Sequence, residues 1–265
     1  QFRLPIDPAS RSFSVQGPAL QCSENGNLLS VQSSRVAFVF DKSTGLVTSY
    51  KVKGTEYFHE GFGIQPNFWR APNDNDYGSQ MPKRLQIWKQ SSKNFNVVDA
   101  SLAMDGKDAV LKVSYLLAAG NLYIATYRIH PSGVVKANYT FTSTEMEAAK
   151  TEASEATLMA TFTPGNEAIR KESSKLVVPR IGVRFRLPAE MEQVTYFGRG
   201  PEENYCDRNN GTLVGEYQAT AEQMYFPYVR PQENGHHTDT RWLMLKKRNG
   251  KGLAVYADGT LEFNS

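Results

Sequence analysis

Four β-like segments in unbroken succession constrain this chain more than any other feature. Residues 94–102, 109–117, 122–130 and 134–141 are each rich in branched or aromatic side chains, and Gly106, Gly120 and Gly133 mark the gaps between them. In the third, Tyr123, Ala125 and Tyr127 alternate with Ile124, Thr126 and Arg128, the two-residue period that sends successive side chains to opposite faces of a sheet. Gaps this short can join only antiparallel neighbours, because a parallel pair needs a crossover of a dozen residues or more. Residues 36–40 repeat the theme. They run through Asp41-Lys-Ser-Thr-Gly45 and return over 46–52, which reads as a hairpin with glycine at the position favouring positive φ. Further strands are expected at 176–187, where Val183, Phe185 and Leu187 alternate with Arg184 and Arg186, and at 194–198, 213–217, 241–245 and 253–256. Helical composition is confined to 145–156, which suits a bulged connection equally well, and to 80–90, a short helix interrupted by Pro82. The pattern predicts an all-β fold with too many strands for a small seven-stranded sandwich, hence a large antiparallel two-sheet sandwich.

At 265 residues the chain can bury a substantial core without disulfides. The net charge of +3 is dispersed, and no window gathers the lysines and arginines of a phosphate-binding groove, so nucleic acid is not an expected partner. No apolar run approaches the length of a membrane-spanning helix. Cys22 and Cys206 are far apart and form neither metal-type spacing nor a disulfide framework. Residues 1–20 scatter Phe2, Leu4, Ile6 and Phe13 among Pro5, Pro8 and Pro18, an extended linker or the tail of something upstream. The start at Gln1 without methionine or apolar leader suggests a processed protein or an excised piece, and the last strand stops at Phe263-Asn-Ser265 without a cap.

Three polar segments carry the chemistry. In Gln65-Pro-Asn-Phe-Trp-Arg-Ala-Pro-Asn-Asp-Asn-Asp-Tyr-Gly78, the aromatic pair Phe68 and Trp69 abuts a polar turn bearing Asp74, Asn75 and Asp76, and Pro66 and Pro72 exclude a helix between them. An aromatic ring beside carboxylates and amides is suited to a sugar, the ring covering a C–H face and the polar groups meeting hydroxyls. The plainer alternative makes Trp69 a core residue and leaves the carboxylates solvated. In Phe197-Gly-Arg-Gly-Pro-Glu-Glu-Asn-Tyr-Cys-Asp-Arg208, adjacent Glu202 and Glu203 make a poor catalytic dyad, because consecutive side chains diverge and a retaining glycosidase needs two carboxyls about 5–5.5 Å apart. An ion pair of Glu203 with Arg199 or Arg208 that holds the loop explains it better. In Tyr225-Phe-Pro-Tyr-Val-Arg-Pro-Gln-Glu-Asn-Gly-His-His-Thr-Asp-Thr-Arg-Trp242, His236 and His237 point to opposite sides of any strand, so one metal ion cannot readily take both. A hydrogen-bonded structural histidine is favoured over a proton shuttle. The Asp74-Asn-Asp76 run lacks the spacing of a calcium loop, and no nucleophile motif stands out.

Together, Phe68-Trp-Arg-Ala-Pro-Asn-Asp-Asn-Asp-Tyr-Gly78, Phe197-Gly-Arg-Gly-Pro-Glu-Glu-Asn-Tyr205 with Asp207-Arg208, and Met224-Tyr-Phe-Pro-Tyr-Val-Arg-Pro-Gln-Glu-Asn-Gly235 resemble the C-terminal domain of long bacterial β-galactosidases of glycoside hydrolase family 2. The resemblance covers residues 20–265. It implies a galactose-mutarotase-like β-supersandwich over 21–265, truncated at its C-terminal end, with 1–20 as a linker or the tail of a preceding immunoglobulin-like domain. It further implies that the catalytic glutamates and a divalent cation belong to a TIM barrel of the same parent chain. This fragment would then have no catalytic residue, metal or cofactor of its own and be inactive alone. The parent would hydrolyse terminal β-D-galactosides such as lactose with retention, in the bacterial cytoplasm or periplasm, with homo-oligomerisation a further expectation. The fragment would wall a composite site through Trp69, Arg70, Asp74, Asn75, Asp76, Arg199, Glu203, Asn204, Glu233, Asn234 and His236. Two other readings stay open: a carbohydrate-binding module using Trp69, Asp74 and Asp76, and a mutarotase-type epimerase. The epimerase would need a histidine–carboxylate pair, and no motif ties His59, His130, His236 or His237 to a matching glutamate.

Overall fold

A computed structural model describes residues 13–118, 120–142 and 177–265. Every strand pairing in it is antiparallel. Strands β1 (Gln21–Asn25), β2 (Leu28–Gln32), β3 (Val36–Asp41), β4 (Leu46–Val52) and β5 (Thr55–Glu56) form one sheet in chain order. Strand β6 (Gln65–Asn67) opens the first polar segment, and helices α1 (Asp74–Gly78), α2 (Met81–Arg84) and α3 (Gln86–Ser91) follow it. The four successive segments are β7 (Phe95–Asp105), β8 (Asp108–Leu117), β9 (Leu122–Ile129) and β10 (Val135–Thr142), a meander in the order β10-β9-β8-β7. Their turns place Gly106, Gly120 and Gly133 at φ of 62°, 78° and 97°, a region open to glycine at no steric cost.

The alternation in β9 is realised side chain by side chain. Tyr123, Ala125, Tyr127 and Ile129 are buried while the residues between them are half-exposed. Val36, Phe38 and Phe40 of β3 face the same core, and the Phe38 and Tyr127 rings lie 5.8 Å apart across it. Each such ring or branched side chain removed from water contributes about 1.5–3 kcal/mol. Polar tips are tied to the opposite sheet: the Tyr50 hydroxyl donates to the Gly133 carbonyl (2.5 Å) and that of Tyr115 to Gly45 (3.0 Å). The first polar segment is anchored here too, with Phe68 fully buried and edge-on to Tyr123 at 5.3 Å.

The last third forms a separate sheet, β13-β12-β14-β15, from β12 (Gln193–Gly200), β13 (Leu213–Thr220), β14 (His236–Lys246) and β15 (Gly252–Asn264). It has its own smaller core of Val194, Tyr196, Leu243, Phe263 and Met224, the last from the short helix α4 (Ala221–Met224).

Three expectations need correction. The long strand at 176–187 shrinks to β11 (Gly182–Arg184), paired among the described residues only with β6. Pro179 lacks a ladder donor, and beyond β11 the backbone bonds instead to an irregular loop, Arg186 N–H to Phe62 and His59 N–H to Arg186 (2.9 Å each). Phe185 and Leu187 still pack on the main core, so the alternation reported packing without a ladder. The helix at 80–90 breaks at Leu85, whose φ is −111°, whereas Pro82 sits in the first turn of α2, where no N–H is needed. The turn at Asp74 to Gly78 is the short helix α1. The segment 145–156 lies outside the described residues.

Candidate functional site

The first polar segment turns inward at its base and binds itself at its tip. Phe68 N–H donates to the buried Ser92 hydroxyl (2.7 Å), and Asn67 Nδ2 donates to the Trp69 carbonyl (3.0 Å). Trp69 is half-buried at the margin of the main core, with the Lys89 ammonium 6.0 Å from its ring centre. Arg70 grips Asp76 with both guanidinium arms, Nη2 to Oδ1 at 2.8 Å and Nη1 to Oδ2. Asp76 completes a capping box with Asn73: its carboxylate accepts Asn73 N–H (2.9 Å) and its own N–H donates to Asn73 Oδ1 (3.0 Å). That reciprocal cap is why the polar run coils into α1. Exposed Asp74 bridges to Arg230 (3.0 Å), whose guanidinium lies 4.2 Å from the Tyr77 ring. The Asn75 side chain is exposed.

The second segment is held from within. Asn204 is fully buried and uses all four of its hydrogen-bonding positions. Its Nδ2 donates to the carbonyls of Arg199 and Glu202 (3.1 Å each), and its Oδ1 accepts the N–H (3.0 Å) and hydroxyl (2.6 Å) of Thr238. Glu203 accepts Arg208 (2.8 Å), Gly235 N–H (2.9 Å) and the Tyr228 hydroxyl. Of the two arginines expected as its partner, the structure selects Arg208. Arg199 instead pairs with Asp239 (2.5 Å) and donates to the carbonyls of Asn209 and Thr212. Asp239 sits at φ 54° within an irregularity of β14, which turns its carboxylate to meet Arg199.

The third segment joins both parts of the molecule through Glu233, whose side chain is only 8 % exposed. Its carboxylate accepts Ala71 N–H from the first segment (3.1 Å), Asn264 Nδ2 from the end of β15 (3.0 Å) and the Arg180 guanidinium. Asn234 donates to the Phe226 carbonyl (3.2 Å) and its own carbonyl accepts Asn264 (2.8 Å). His236 and His237 do face opposite sides. His236 lies 2.9 Å from Asn264 Oδ1 and 3.2 Å from Glu262 Oε2, stacked on Tyr205, and its hydrogen bond holds the Glu262 carboxyl below the usual range. His237 stacks on Phe263 and donates to the Arg199 carbonyl (3.1 Å), with the Tyr196 hydroxyl also at 3.1 Å. Burial, aided by neighbouring His236, pushes its pKa down despite that carbonyl.

The structure thus brings Glu233, Asn234 and His236 together around Asn264 and ties them to Ala71, next to Arg70. Among the described residues, no hydrogen bond or ion pair links Trp69 or Arg199 directly to that node. The residues that sequence reasoning missed are the partners: Arg180, Tyr228, Asp239, Glu262 and Asn264. Each lies outside a motif or was unremarkable within one, and only the tertiary fold pairs it. Beside the node, a cleft of about 880 Å³ is bounded by Glu202, Asp207, Asn210, Tyr225, Phe226 and Tyr228. Among the described residues, no three His, Cys, Asp or Glu side chains gather as a metal-binding group.

Residues 32–264 match a family model described as the β-galactosidase small chain. A β-galactosidase of Priestia megaterium is 30 % identical over an alignment of 267 positions that covers 100 % of this chain and 23 % of that protein. A β-galactosidase of Kluyveromyces lactis is 27 % identical over 261 residues, 97 % of this chain and 23 % of its own length. One from Arthrobacter sp. strain B7 is 43 % identical over 83 residues, 31 % of this chain and 8 % of its own. The chain therefore spans less than a quarter of the length of these relatives.

Proposed function

Because the chain belongs to the β-galactosidase small-chain family, we propose that it is the C-terminal domain of a longer enzyme that hydrolyses terminal β-D-galactosides with retention, and that it supplies one wall of a composite active site. One observation carries this reading. The buried or half-buried carboxylates of the three motifs, Asp76, Glu203 and Glu233, are each engaged by an arginine and by backbone or side-chain donors. A retaining glycosidase needs one carboxyl free to attack and another free to give up a proton. Carboxylates locked this way shape loops; they do not perform that chemistry. The catalytic pair and a divalent cation belong in this reading to a TIM barrel of the same parent chain, and the isolated domain is inactive.

What the domain offers the barrel is a rigid frame with an apolar tip. Val229 is fully exposed on a loop braced by the Glu233 and Glu203 ion pairs, and Tyr77, 44 % exposed, stands on α1 beside Arg230. Large exposed apolar side chains on a braced loop suit a contact with another domain and the exclusion of water from a shared site. The test is a chimera in which this chain replaces the matching quarter of the Priestia megaterium enzyme. The chimera hydrolyses a chromogenic β-galactoside, and this chain alone does not. Turnover by the chain alone, or a folded chimera without activity, contradicts the proposal.

A further inference from the structure

The buried carboxylates Asp76, Glu203 and Glu233 and the Asn204 amide are satisfied by neighbouring groups, whereas some polar side chains lining the cleft beside them are not. Its lining includes Tyr225 and Phe226, 61 % and 54 % exposed, and Tyr228. The Phe226 ring lies 4.6 Å from that of Tyr228, and the Tyr228 hydroxyl is fixed by Glu203, which Arg208 and Gly235 N–H hold in turn. The backbone of this wall is fastened as well, with the Phe226 carbonyl accepting both Tyr228 N–H (2.9 Å) and Asn234 Nδ2 (3.2 Å). The Phe226 ring is therefore exposed yet held in place, so a ligand that stacks on it does not first have to order it. The cleft is also lined by exposed Glu202, Asp207 and Asn210, whose side chains have no hydrogen bond or ion pair among the described residues.

We infer that this cleft is a saccharide-binding subsite, with Tyr225 and Phe226 as the stacking platform and Glu202, Asp207 and Asn210 as partners for hydroxyl groups. Ring faces cover the C–H face of a pyranose, while free carboxylates accept from hydroxyls and an amide both donates and accepts. The largely exposed Arg208 guanidinium at the same rim offsets the negative charge of the carboxylates and disfavours a simple cation. The exposed aromatic rings in the lining suit a small anion poorly. This goes beyond the reading as a wall, because every residue of the subsite belongs to this chain and its test calls on no other domain.

The 265-residue chain is titrated with lactose, methyl β-D-galactoside and methyl β-D-glucoside, followed by ligand-observed saturation-transfer NMR, with spermidine and inorganic phosphate as probes of other chemistry. A single sugar ring held at ordinary small-ligand efficiency gives saturable binding with a dissociation constant on the order of a few millimolar. Phe226→Ala and Tyr225→Ala, both at exposed positions, each weaken it about tenfold, the loss of one stacked face. Asp207→Asn weakens it less, and Trp69→Ala leaves it unchanged. Urea midpoints equal to that of the unsubstituted chain show that the variants fold. Absence of saturable sugar binding, indifference to the loss of Phe226 and Tyr225, or spermidine binding as tight as any sugar overturns the subsite. An active chimera combined with any of these results leaves the β-galactosidase reading standing and removes the cleft alone.

Discussion

Replacing Asn204 by alanine tests whether the second loop is held by one buried amide. The substitution strands two carbonyls, those of Arg199 and Glu202, and two donors, the N–H and hydroxyl of Thr238. The Arg199 carbonyl keeps His237 as a donor, so three groups are left without any described protein partner. Each neutral buried bond contributes about 1 kcal/mol, and an orphaned buried partner costs about 1–3 kcal/mol unless water reaches it. The vacated side-chain volume admits about one water molecule, which recovers part of the loss. The expected destabilisation is therefore about 3–4 kcal/mol. With a urea slope of about 3 kcal/mol/M for a chain this long, the midpoint falls by ~1 M in equilibrium unfolding followed by tryptophan fluorescence. Asn204→Asp is no milder, since it keeps the acceptor and directs a charge at two carbonyl oxygens. Thr238→Val costs about 1 kcal/mol alone and little in the Asn204→Ala background, because the hydroxyl has already lost its partner. A loss below ~1 kcal/mol for Asn204→Ala, or strict additivity of the two substitutions, refutes the reasoning.

Glu233→Gln faces three donors, so one arm of the amide must point an N–H at another donor. Thermal unfolding is expected to report about 2–3 kcal/mol of lost stability, and an unchanged Tm contradicts the role given to Glu233 as the tie between the parts. Burial lowers the His237 pKa below its ordinary value near 6.5, so the unfolded chain binds a proton that the folded chain resists. This contribution to stability is intact above about pH 6.5 and declines as the pH falls below it; urea midpoints at pH 7.5 and 5.5 check the sign, and a higher midpoint at 5.5 refutes it. Burial pushes the Glu56 carboxyl up, but the Ser49 hydroxyl and the N–H groups of Tyr50, Tyr57 and Phe58 outweigh it and bring the pKa below its usual value. Its contribution is present above the unfolded carboxylate pKa and lost as pH falls through the lowered one, and Glu56→Gln flattens the acid limb of the stability profile. Gly63→Ala would place a methyl group 1.5 Å from the Val47 carbonyl oxygen, so a loss of about 3 kcal/mol is expected, and a neutral result on urea unfolding would show that the backbone there is free to shift.

The sheets were legible because their cause is local. Period-two alternation and glycines at turn positions report on neighbouring residues, and β7 to β10 lie within a few residues of their expected positions. The segment around Gly182 was misread because alternation records which face is buried, not whether a second strand lies alongside. The candidate residues were found as types and as motifs, while their partners were not. Glu233 meets Ala71 across 162 positions and Arg180 across 53, and nothing in either local sequence selects one carboxylate among many. Glu203 shows the intermediate case: its own loop offered two arginines, and the bulge that hands Arg199 to Asp239 decided between them.

The unequal size of the two cores has a dynamic consequence. Local opening free energy follows the apolar area that a region buries, and the sheet β12 to β15 buries far less than the sandwich of the first two sheets. Amide protons of β12 and β14 are therefore expected to exchange through a subglobal opening that leaves β8 and β9 closed. The loops around Glu203 and the cleft would melt with that cooperative unit, while Phe68 stays with the slower one. Glu233 straddles the boundary, so its ion pair sets how often the two foldons part company.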